Sequence, residues 1–233
     1  MNKKKIAISQ SNYIPWKGYF DMIASVDEFI VYDDMQYTRR DWRNRNLIKT
    51  PQGVKWLTIP VIVKGKFDQK IRDVKIDEVD WEKNHWKSIV HNYQGSPYFS
   101  EISLWLEPMY LKNPHKNLSE LNIAFLRSIN QYLGIATKIS ASWDYGLVEG
   151  KSERLLDLCK KSGGAEYVSG PSARNYLDPT IFAKNGIKLT WLNHDGYPEY
   201  KQRWGDYVHG VSILDLIFNC GPQSANFMKN VIK

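Results

Sequence analysis

The first 32 residues restrict the fold more than any other part of the chain. An apolar run at residues 5–9 is followed by large apolar side chains at i, i+3, i+4 and i+7, counted from Trp16, and by a second apolar run at residues 29–32. The runs are typical of buried strands, and the spacing is typical of one helix face. A strand, a helix and a strand within so few residues form a βαβ crossover, which requires parallel strands. This stretch therefore predicts an α/β fold.

The last third of the chain repeats the alternation of helices and strands. Residues 165–169 and 187–192 read as strands, and Asp178 followed by Pro179 is a good start for the helix between them. Residues 211–219 predict a closing helix. We therefore predict a mostly parallel sheet with helices on both faces, a Rossmann-like three-layer arrangement.

Residues 50–130 interrupt this alternation. Residues 54–63 and 71–76 resemble strands joined by a turn, which predicts a hairpin or an addition to the sheet edge. No internal repeat or linker separates this segment from the rest. We predict a single α/β domain over residues 1–233, in which about residues 50–130 form an insertion or a helical cap.

Two helices are predicted within this insertion. Residues 81–93 have a helical pattern, and Asn117 with Glu120 three positions later resembles a capping box. This box opens an amphipathic helix over residues 118–133, and Gly134 ends it.

The charge of the chain favours anionic partners. The net charge is +7, and the basic residues are concentrated in one segment that contains a single acid, Asp41. Such a surplus attracts nucleotides, nucleotide-linked sugars, nucleic acid or anionic lipid. The basic residues of the segment are Arg39, Arg40, Arg43, Arg45, Lys49 and Lys55.

Several classes of protein are excluded by what the sequence lacks. Cys159 and Cys220 are too far apart for a zinc motif, and His85 and His91 lie six apart, not at i and i+4. We therefore expect no metal and no bound cofactor. The first apolar run stops at Gln10, too short for a signal peptide, and no run of 18 apolar residues predicts a membrane span. A reducing cytoplasm is the expected compartment.

The loop after the first strand is richer in polar and aromatic side chains than a connection requires. In parallel sheets, ligands bind beyond the carboxyl ends of the strands. Asp33 follows the second strand and should lie on the same rim. A helix cap with no ligand is the alternative explanation. The predicted substrate contacts in this loop are Gln10, Asn12, Tyr13 and Trp16.

Two further loops should reach this rim. The basic segment offers arginine forks for a diphosphate and tryptophan for a base or sugar, although a solvated charged face has a similar composition. The loop after residues 165–169 offers hydroxyl, guanidinium and amide groups, or serves only as a structural loop. The candidates are Gln36, Arg40, Trp42, Asn44 and Arg45 in the first, and Ser169, Arg174 and Asn175 in the second.

His85 is a candidate general base, because imidazole titrates near neutral pH. A partly exposed helix histidine without a catalytic role is the alternative. Basic residues mixed with aromatics also suit nucleic acid. No zinc-finger, RRM or helix-turn-helix signature accompanies them, so we expect no nucleic-acid partner.

Five segments together resemble the WbqC-like family, whose members are often encoded among genes for O-antigen and other surface-polysaccharide synthesis. The resemblance runs from Ile6 to Asn219. The family usually has proline where this sequence has Ser11, so this loop lacks one fixed φ angle. The segments are "SQSNYIPWKGYFDMIA", "VYDDMQYTRRDWRNRNLIK", "WLTIPV", "YVSGPSARNYLD" and "SILDLIF".

The resemblance implies a role in making a lipopolysaccharide or other polysaccharide precursor. The implied activity is a transferase that moves an acyl or aminoacyl group onto the amine of a nucleotide-linked amino sugar. The resemblance assigns no catalytic residue, but the residues fit this chemistry, with His85 or Asp33 as the base. Two alternatives stay open. The layout of the first loop resembles HIGH-type nucleotidyltransferases, which activate substrates with ATP, but the loop has no histidine. A nucleotide-sugar-binding accessory protein needs the same pocket without a base.

Overall fold

The computed structural model describes residues 3–231. Strands and helices alternate at both ends of this range, and helices dominate the middle. The strands are β1 (Lys5–Ser9), β2 (Glu28–Val31), β3 (Arg45–Thr50), β4 (Gly53–Thr58), β5 (Lys138–Ala141), β6 (Glu166–Ser169) and β7 (Lys188–Trp191). The helices are α1 (Lys17–Ala24), α2 (Trp81–Tyr93), α3 (Phe99–Leu111), α4 (Leu118–Leu133), α5 (Ser152–Lys161), α6 (Pro179–Lys184) and α7 (Ile213–Cys220).

Five strands form one parallel sheet in the order β5-β2-β1-β6-β7. β1 lies at its centre, where Ala7 pairs with Phe29 of β2 on one side and with Val168 of β6 on the other. The predicted βαβ crossover is therefore confirmed. The strand order reverses between β1 and β6, and α/β proteins of this type bind ligands at such a switch point.

Both faces of the sheet are buried, which explains the nearly continuous apolar runs of its strands. Along β1, Ile6 and Ile8 belong to one apolar cluster, whereas Ala7 belongs to the other. Helices α5 and α6 cover the first cluster, and α1, α4 and α7 cover the second. This confirms the three-layer α/β arrangement.

The predicted helix boundaries follow from their capping residues. The Asn117 side chain accepts hydrogen bonds from the backbone N–H groups of Ser119 and Glu120, and Gly134 takes the left-handed conformation after α4. The Asp178 side chain caps α6 in the same way. Among the helices within residues 3–231, none combines the length and the apolar character needed to cross a membrane.

Residues 54–63 and residues 71–76 approach each other as predicted, but they do not form a strand ladder. β4 pairs instead with β3, which lies inside the basic segment, through a tight turn at Gly53 with φ of 107°. Only one antiparallel bridge, Val61 with Ile76, joins the two predicted strands. Residues 71–73 form a short 3-10 turn. The sequence did not predict β3 as a strand because β3 is polar, and its residues Asn46 and Lys49 are buried by tertiary contacts.

Helix α3 was not predicted from the sequence. It contains Pro108, which cannot donate a backbone hydrogen bond, and its Leu104 side chain is exposed, so its pattern lacks a clean apolar face. Helices α2, α3 and α4 pack together over one face of the β3–β4 hairpin and the loop after β1.

Candidate functional site

The loops after β1 and β2 meet at the carboxyl edge of the sheet, as the parallel arrangement predicts. We call residues 10–16 the opening loop and residues 38–45 the arginine loop. The backbone N–H of Tyr13 donates to the carbonyl of Trp42 at 3.0 Å. The Arg43 guanidinium donates to the side-chain oxygen of Asn12 and, at 3.4 Å, to the carbonyl of Ser11.

Asp33 supports the opening loop from the protein interior and is not exposed to solvent. It is fully buried, and its carboxylate accepts from the Ser11 N–H at 2.8 Å, from the Ser11 hydroxyl at 2.7 Å and from the Ser119 hydroxyl. Burial raises the pKa of Asp33 above its usual range, and these hydrogen bonds act in the opposite direction. This placement corrects the expectation of a catalytic base at Asp33, because a substrate amine cannot contact a carboxylate enclosed in this way.

His85 and Tyr13 belong to a second buried network. The Tyr13 hydroxyl lies 2.9 Å from His85 Nδ1 and 2.7 Å from the Tyr110 hydroxyl, and His85 Nε2 lies 3.2 Å from the carbonyl of Thr58. A carbonyl only accepts, so Nε2 carries the proton and donates to it, and Nδ1 accepts from Tyr13. Tyr110 in turn donates to the Tyr13 oxygen.

This network gives both residues a structural role. Tyr13 is fully buried, His85 is nearly so, and burial lowers the pKa of His85 to about 4. The expected base His85 and the expected substrate contact Tyr13 therefore fasten the opening loop to helices α2 and α3. Two other candidates are also enclosed: Asn44 donates to the carbonyl of Ile59 at 2.8 Å, and Ser169 donates to the Tyr167 hydroxyl at 3.3 Å.

Each of the two meeting loops contains a residue in the left-handed region. Ile14 has φ of 38° and Arg40 has φ of 58°, values that cost free energy for residues with a Cβ and are rare for a β-branched one. The Ile14 carbonyl is held by Asn46 Nδ2 at 3.0 Å and by the Ser212 hydroxyl at 2.8 Å. Backbone strain of this kind is concentrated at functional sites, where the surroundings enforce it.

A cleft of about 280 Å³ opens between these loops. Larger hollows lie elsewhere, including one of about 510 Å³ beside α2, but this cleft is where the opening and arginine loops converge. Three predicted residues line it, Asn12, Trp16 and Trp42. The remaining lining residues are Pro15, Asn46, His209 and Gly210.

Two histidines that the sequence analysis missed flank Trp16. The rings of His194 and His209 each lie 5.1 Å from the Trp16 ring, centroid to centroid, on edge-to-face geometry. Burial lowers the pKa of both imidazoles, and the Lys17 ammonium lowers that of His209 further. His209 is therefore neutral at neutral pH and, as a lining residue of the cleft, is able to accept a proton there.

Lys17 fixes the segment that carries these histidines, residues 192–212, which we call the C-terminal loop. Its ammonium donates to the carbonyl of Pro198 at 2.7 Å and to the Tyr207 hydroxyl at 3.1 Å. Burial lowers the pKa of Lys17 to about 8. One feature of the sequence could have identified this segment. It is a stretch of about 20 residues without a predicted helix or strand, and loops of this length are often functional.

The other predicted residues lie outside the cleft lining. Gln10 is half-buried at the rim, where its carbonyl accepts from the Tyr19 hydroxyl at 2.7 Å, and Gln36 donates to the carbonyl of Phe67 at 2.9 Å. Arg40 and Arg45 belong to the arginine loop, where the Arg45 guanidinium donates to the Arg40 carbonyl and lies over the Trp56 ring. Arg174 and Asn175 are exposed on the separate loop after β6, where the Arg174 guanidinium lies 5.3 Å from the Trp191 ring.

The described residues hold no group of three or more histidine, cysteine, aspartate or glutamate side chains placed to bind a metal ion. Cys159 and Cys220 are free thiols, and burial raises the pKa of each to about 12, so neither forms a thiolate at neutral pH.

Comparisons with known proteins place the chain in a family. Uncharacterized protein Rv1507c of Mycobacterium tuberculosis (strain ATCC 25618 / H37Rv) is 56% identical over 226 residues, which cover 97% of this chain and 98% of that protein. No solved structure matches the chain. The model of the WbqC-like protein family matches residues 10–227, which include the opening loop, the arginine loop and the C-terminal loop. The chain belongs to the WbqC-like protein family.

Proposed function

We propose that this protein is a transferase of surface-polysaccharide or O-antigen precursor synthesis, which moves an acyl or aminoacyl group onto the amine of a nucleotide-linked amino sugar. One observation carries the proposal: the cleft combines the indoles of Trp16 and Trp42 with an accessible imidazole, His209. Aromatic faces suit the apolar side of a sugar ring, and an imidazole suits proton removal from an amine.

The reaction requires a base because the amine loses a proton as its nitrogen attacks. The nitrogen forms a bond to the carbonyl carbon of an activated acyl donor, and the bond between that carbon and the leaving group breaks. His209 takes the proton of the amine, which its lowered pKa permits at neutral pH. The amide groups of Asn12 and Asn46 border the same space, and the Asn12 amide offers a partner for the sugar hydroxyls.

The charge next to the cleft supports an anionic substrate. Arg40, Arg43 and Arg45 belong to the arginine loop, and Asp41, its one acid, already accepts from Thr38 at 2.7 Å and lies 3.7 Å from Arg43. The positive charge therefore exceeds what the loop neutralises internally. Arginine forks suit the two phosphates of a nucleotide-linked sugar.

The proposal is tested by replacing His209 with glutamine, which keeps the size and a hydrogen-bonding group but cannot take a proton. We expect product formation, measured by mass spectrometry with nucleotide-linked amino sugars and acyl donors, to decrease by about 10²-fold or more. Binding of the sugar nucleotide, followed by its effect on melting temperature, should change little.

His91→Gln is the matched control, because His91 is an exposed histidine of α2 outside the cleft. Equal product formation by His209→Gln and His91→Gln would contradict the assignment of His209. Binding of a sugar nucleotide without any product, across several donors, would instead favour an accessory binding protein.

A second candidate, ATP-dependent activation by a nucleotidyltransferase-like enzyme, is favoured by one specific observation. The opening loop has no histidine, but the C-terminal loop brings His194 and His209 to Trp16, at the start of α1. Imidazoles at that position suit a leaving phosphate. Stabilisation by ATP together with release of pyrophosphate or ADP would favour this candidate over transfer from an activated acyl donor.

We propose a cytoplasmic location, which the free thiols support because they fit a reducing compartment. Its proposed partners are the nucleotide-linked sugar and the acyl or aminoacyl donor. Tight binding to single-stranded oligonucleotides at physiological salt would contradict both candidates.

A further inference from the structure

Two exposed tryptophans form a surface next to the cleft. Trp42 and Trp56 are 42% and 41% exposed, and their rings lie 5.3 Å apart, centroid to centroid, at 45°. The Arg45 guanidinium lies 4.1 Å from the centre of the Trp56 ring. We call Trp42, Trp56 and Arg45 the tryptophan shelf. Two neighbouring indoles with this much exposed apolar surface indicate a binding surface, because an isolated domain gains nothing from exposing them.

The shelf continues the cleft without a break, because Trp42 belongs to both. Its geometry is fixed by backbone contacts. Trp56 lies on β4 opposite Leu47 of β3 within the antiparallel ladder, and the backbone N–H of Trp42 donates to the Asp41 carboxylate at 2.7 Å. The Trp42 carbonyl accepts from the opening loop, as described above. A ligand therefore meets a surface whose main chain is already positioned, which limits the entropy lost on binding.

The charge around the shelf restricts what it binds. A purely apolar partner would gain nothing from Arg40 and Arg45, whereas a flat ring attached to phosphate uses both the indoles and the guanidinium groups. Bases stack on aromatic side chains, and phosphate pairs with arginine. The shelf thus matches a nucleoside diphosphate better than a lipid chain or a peptide.

We infer that the tryptophan shelf binds the base of the nucleotide-linked sugar, with the diphosphate beside the arginine loop and the sugar in the cleft. This inference rests on the proposed function and deepens it, because it assigns the base of the nucleotide to the tryptophan shelf. Stacking contacts the face of a base and makes no hydrogen bonds to its edge, so a stacking surface accepts different bases. We therefore expect UDP and dTDP to bind with similar affinity.

The test is the affinity of Trp56→Ala, since Trp56 belongs to the shelf and does not line the cleft. Calorimetry at one fixed ionic strength should show weaker binding of UDP and of a UDP-linked amino sugar by about fivefold or more, the loss expected for one stacked base. Binding of glucosamine 1-phosphate, which has no base, should stay unchanged. Trp143→Ala is the matched control, because Trp143 is 37% exposed and also lies beside an arginine, Arg72, at 5.8 Å.

Each outcome bears on the shelf, on the transferase proposal, or on both. If UDP and the sugar nucleotide bind Trp56→Ala as tightly as the wild type, the shelf is contradicted and the transferase stands. If Trp56→Ala weakens glucosamine 1-phosphate equally, the substitution disturbs the cleft and the base assignment fails. If binding depends on Trp56 as expected but no product forms with any donor, the shelf is supported and the transferase fails. If neither UDP nor dTDP binds the wild type, both fail.

Discussion

The opening loop and the arginine loop lie side by side, but they are held in different ways. The opening loop is held by hydrogen bonds to three buried residues, Asp33, His85 and Asn46. The arginine loop has exposed indole and guanidinium groups, and Arg45 donates to the carbonyl of Arg40 within the same loop. Polar residues concentrated in a loop after a strand therefore serve two purposes, and burial distinguishes the residues that hold the loop from those that are free to contact a ligand.

The largest effect that this comparison predicts is at Ser11. Proline in its place removes both the N–H and the hydroxyl that donate to the buried Asp33 carboxylate. We expect the free energy of unfolding to fall by about 3–6 kcal/mol, because each of the two hydrogen bonds to a buried charge is worth about 1.5–3 kcal/mol. Denaturant titration measures the loss.

Ser11→Ala is the matched control, since it removes the hydroxyl and keeps the N–H. It should lose about half as much. If Ser11→Pro is as stable as Ser11→Ala, the backbone bond does not fasten the opening loop.

The pH dependence of stability tests the second attachment of the opening loop. Burial lowers the pKa of His85 from 6.5 to about 4, so the unfolded chain takes up this proton before the folded protein does. The contribution of neutral His85 is complete above pH 6.5 and is lost as the pH falls towards 4, by about 3 kcal/mol in all.

His85→Gln isolates this contribution, because other groups titrate equally in both proteins. The difference in unfolding free energy between the wild type and the variant should shrink as the pH falls from 6.5 to 4. A difference that stays constant over this range would mean that His85 is not held neutral in the network.

The smallest effect lies in the arginine loop. Arg40 has φ of 58°, a conformation that glycine adopts freely, so Arg40→Gly should stabilise the protein by about 0.5–1 kcal/mol despite the extra entropy of its unfolded chain. Arg39 has no positive φ, so Arg39→Gly should destabilise it by a similar amount. Thermal unfolding of both variants shows whether each substitution raises or lowers the stability of the protein. A lower stability for both variants would show that the backbone of residue 40 is not strained.

The sequence predicted the parallel sheet because buried parallel strands leave continuous apolar runs, and it predicted α4 and α6 because Asn117 and Asp178 cap them locally. Strand β3 escaped prediction, since Lys49 is buried only through contacts far along the chain, including the carbonyl of Asp206. Local patterns do not contain such contacts.

The site residues likewise fall into those that local patterns identify and those that only tertiary packing reveals. Asn12, Trp16 and Trp42 were found from their loops and the rule of the sheet rim, and they line the cleft. His209 was missed because it reaches the cleft from a stretch with no periodic pattern. His85 was chosen for its chemistry, and only tertiary packing reveals that it is enclosed.

The hydrogen bond from the Ser212 hydroxyl to the Ile14 carbonyl forms late during synthesis of the protein. The two residues are 198 positions apart, and the neighbouring Pro15 carbonyl accepts from the N–H of Ile213 at 2.9 Å. A growing chain emerges with its N-terminal part first, so β1, α1 and β2 are available long before these partners. The left-handed turn at Ile14 therefore has the hydrogen bond from Asn46 but not the one from Ser212 until the ribosome has made residue 212, and the cleft is completed only after that point.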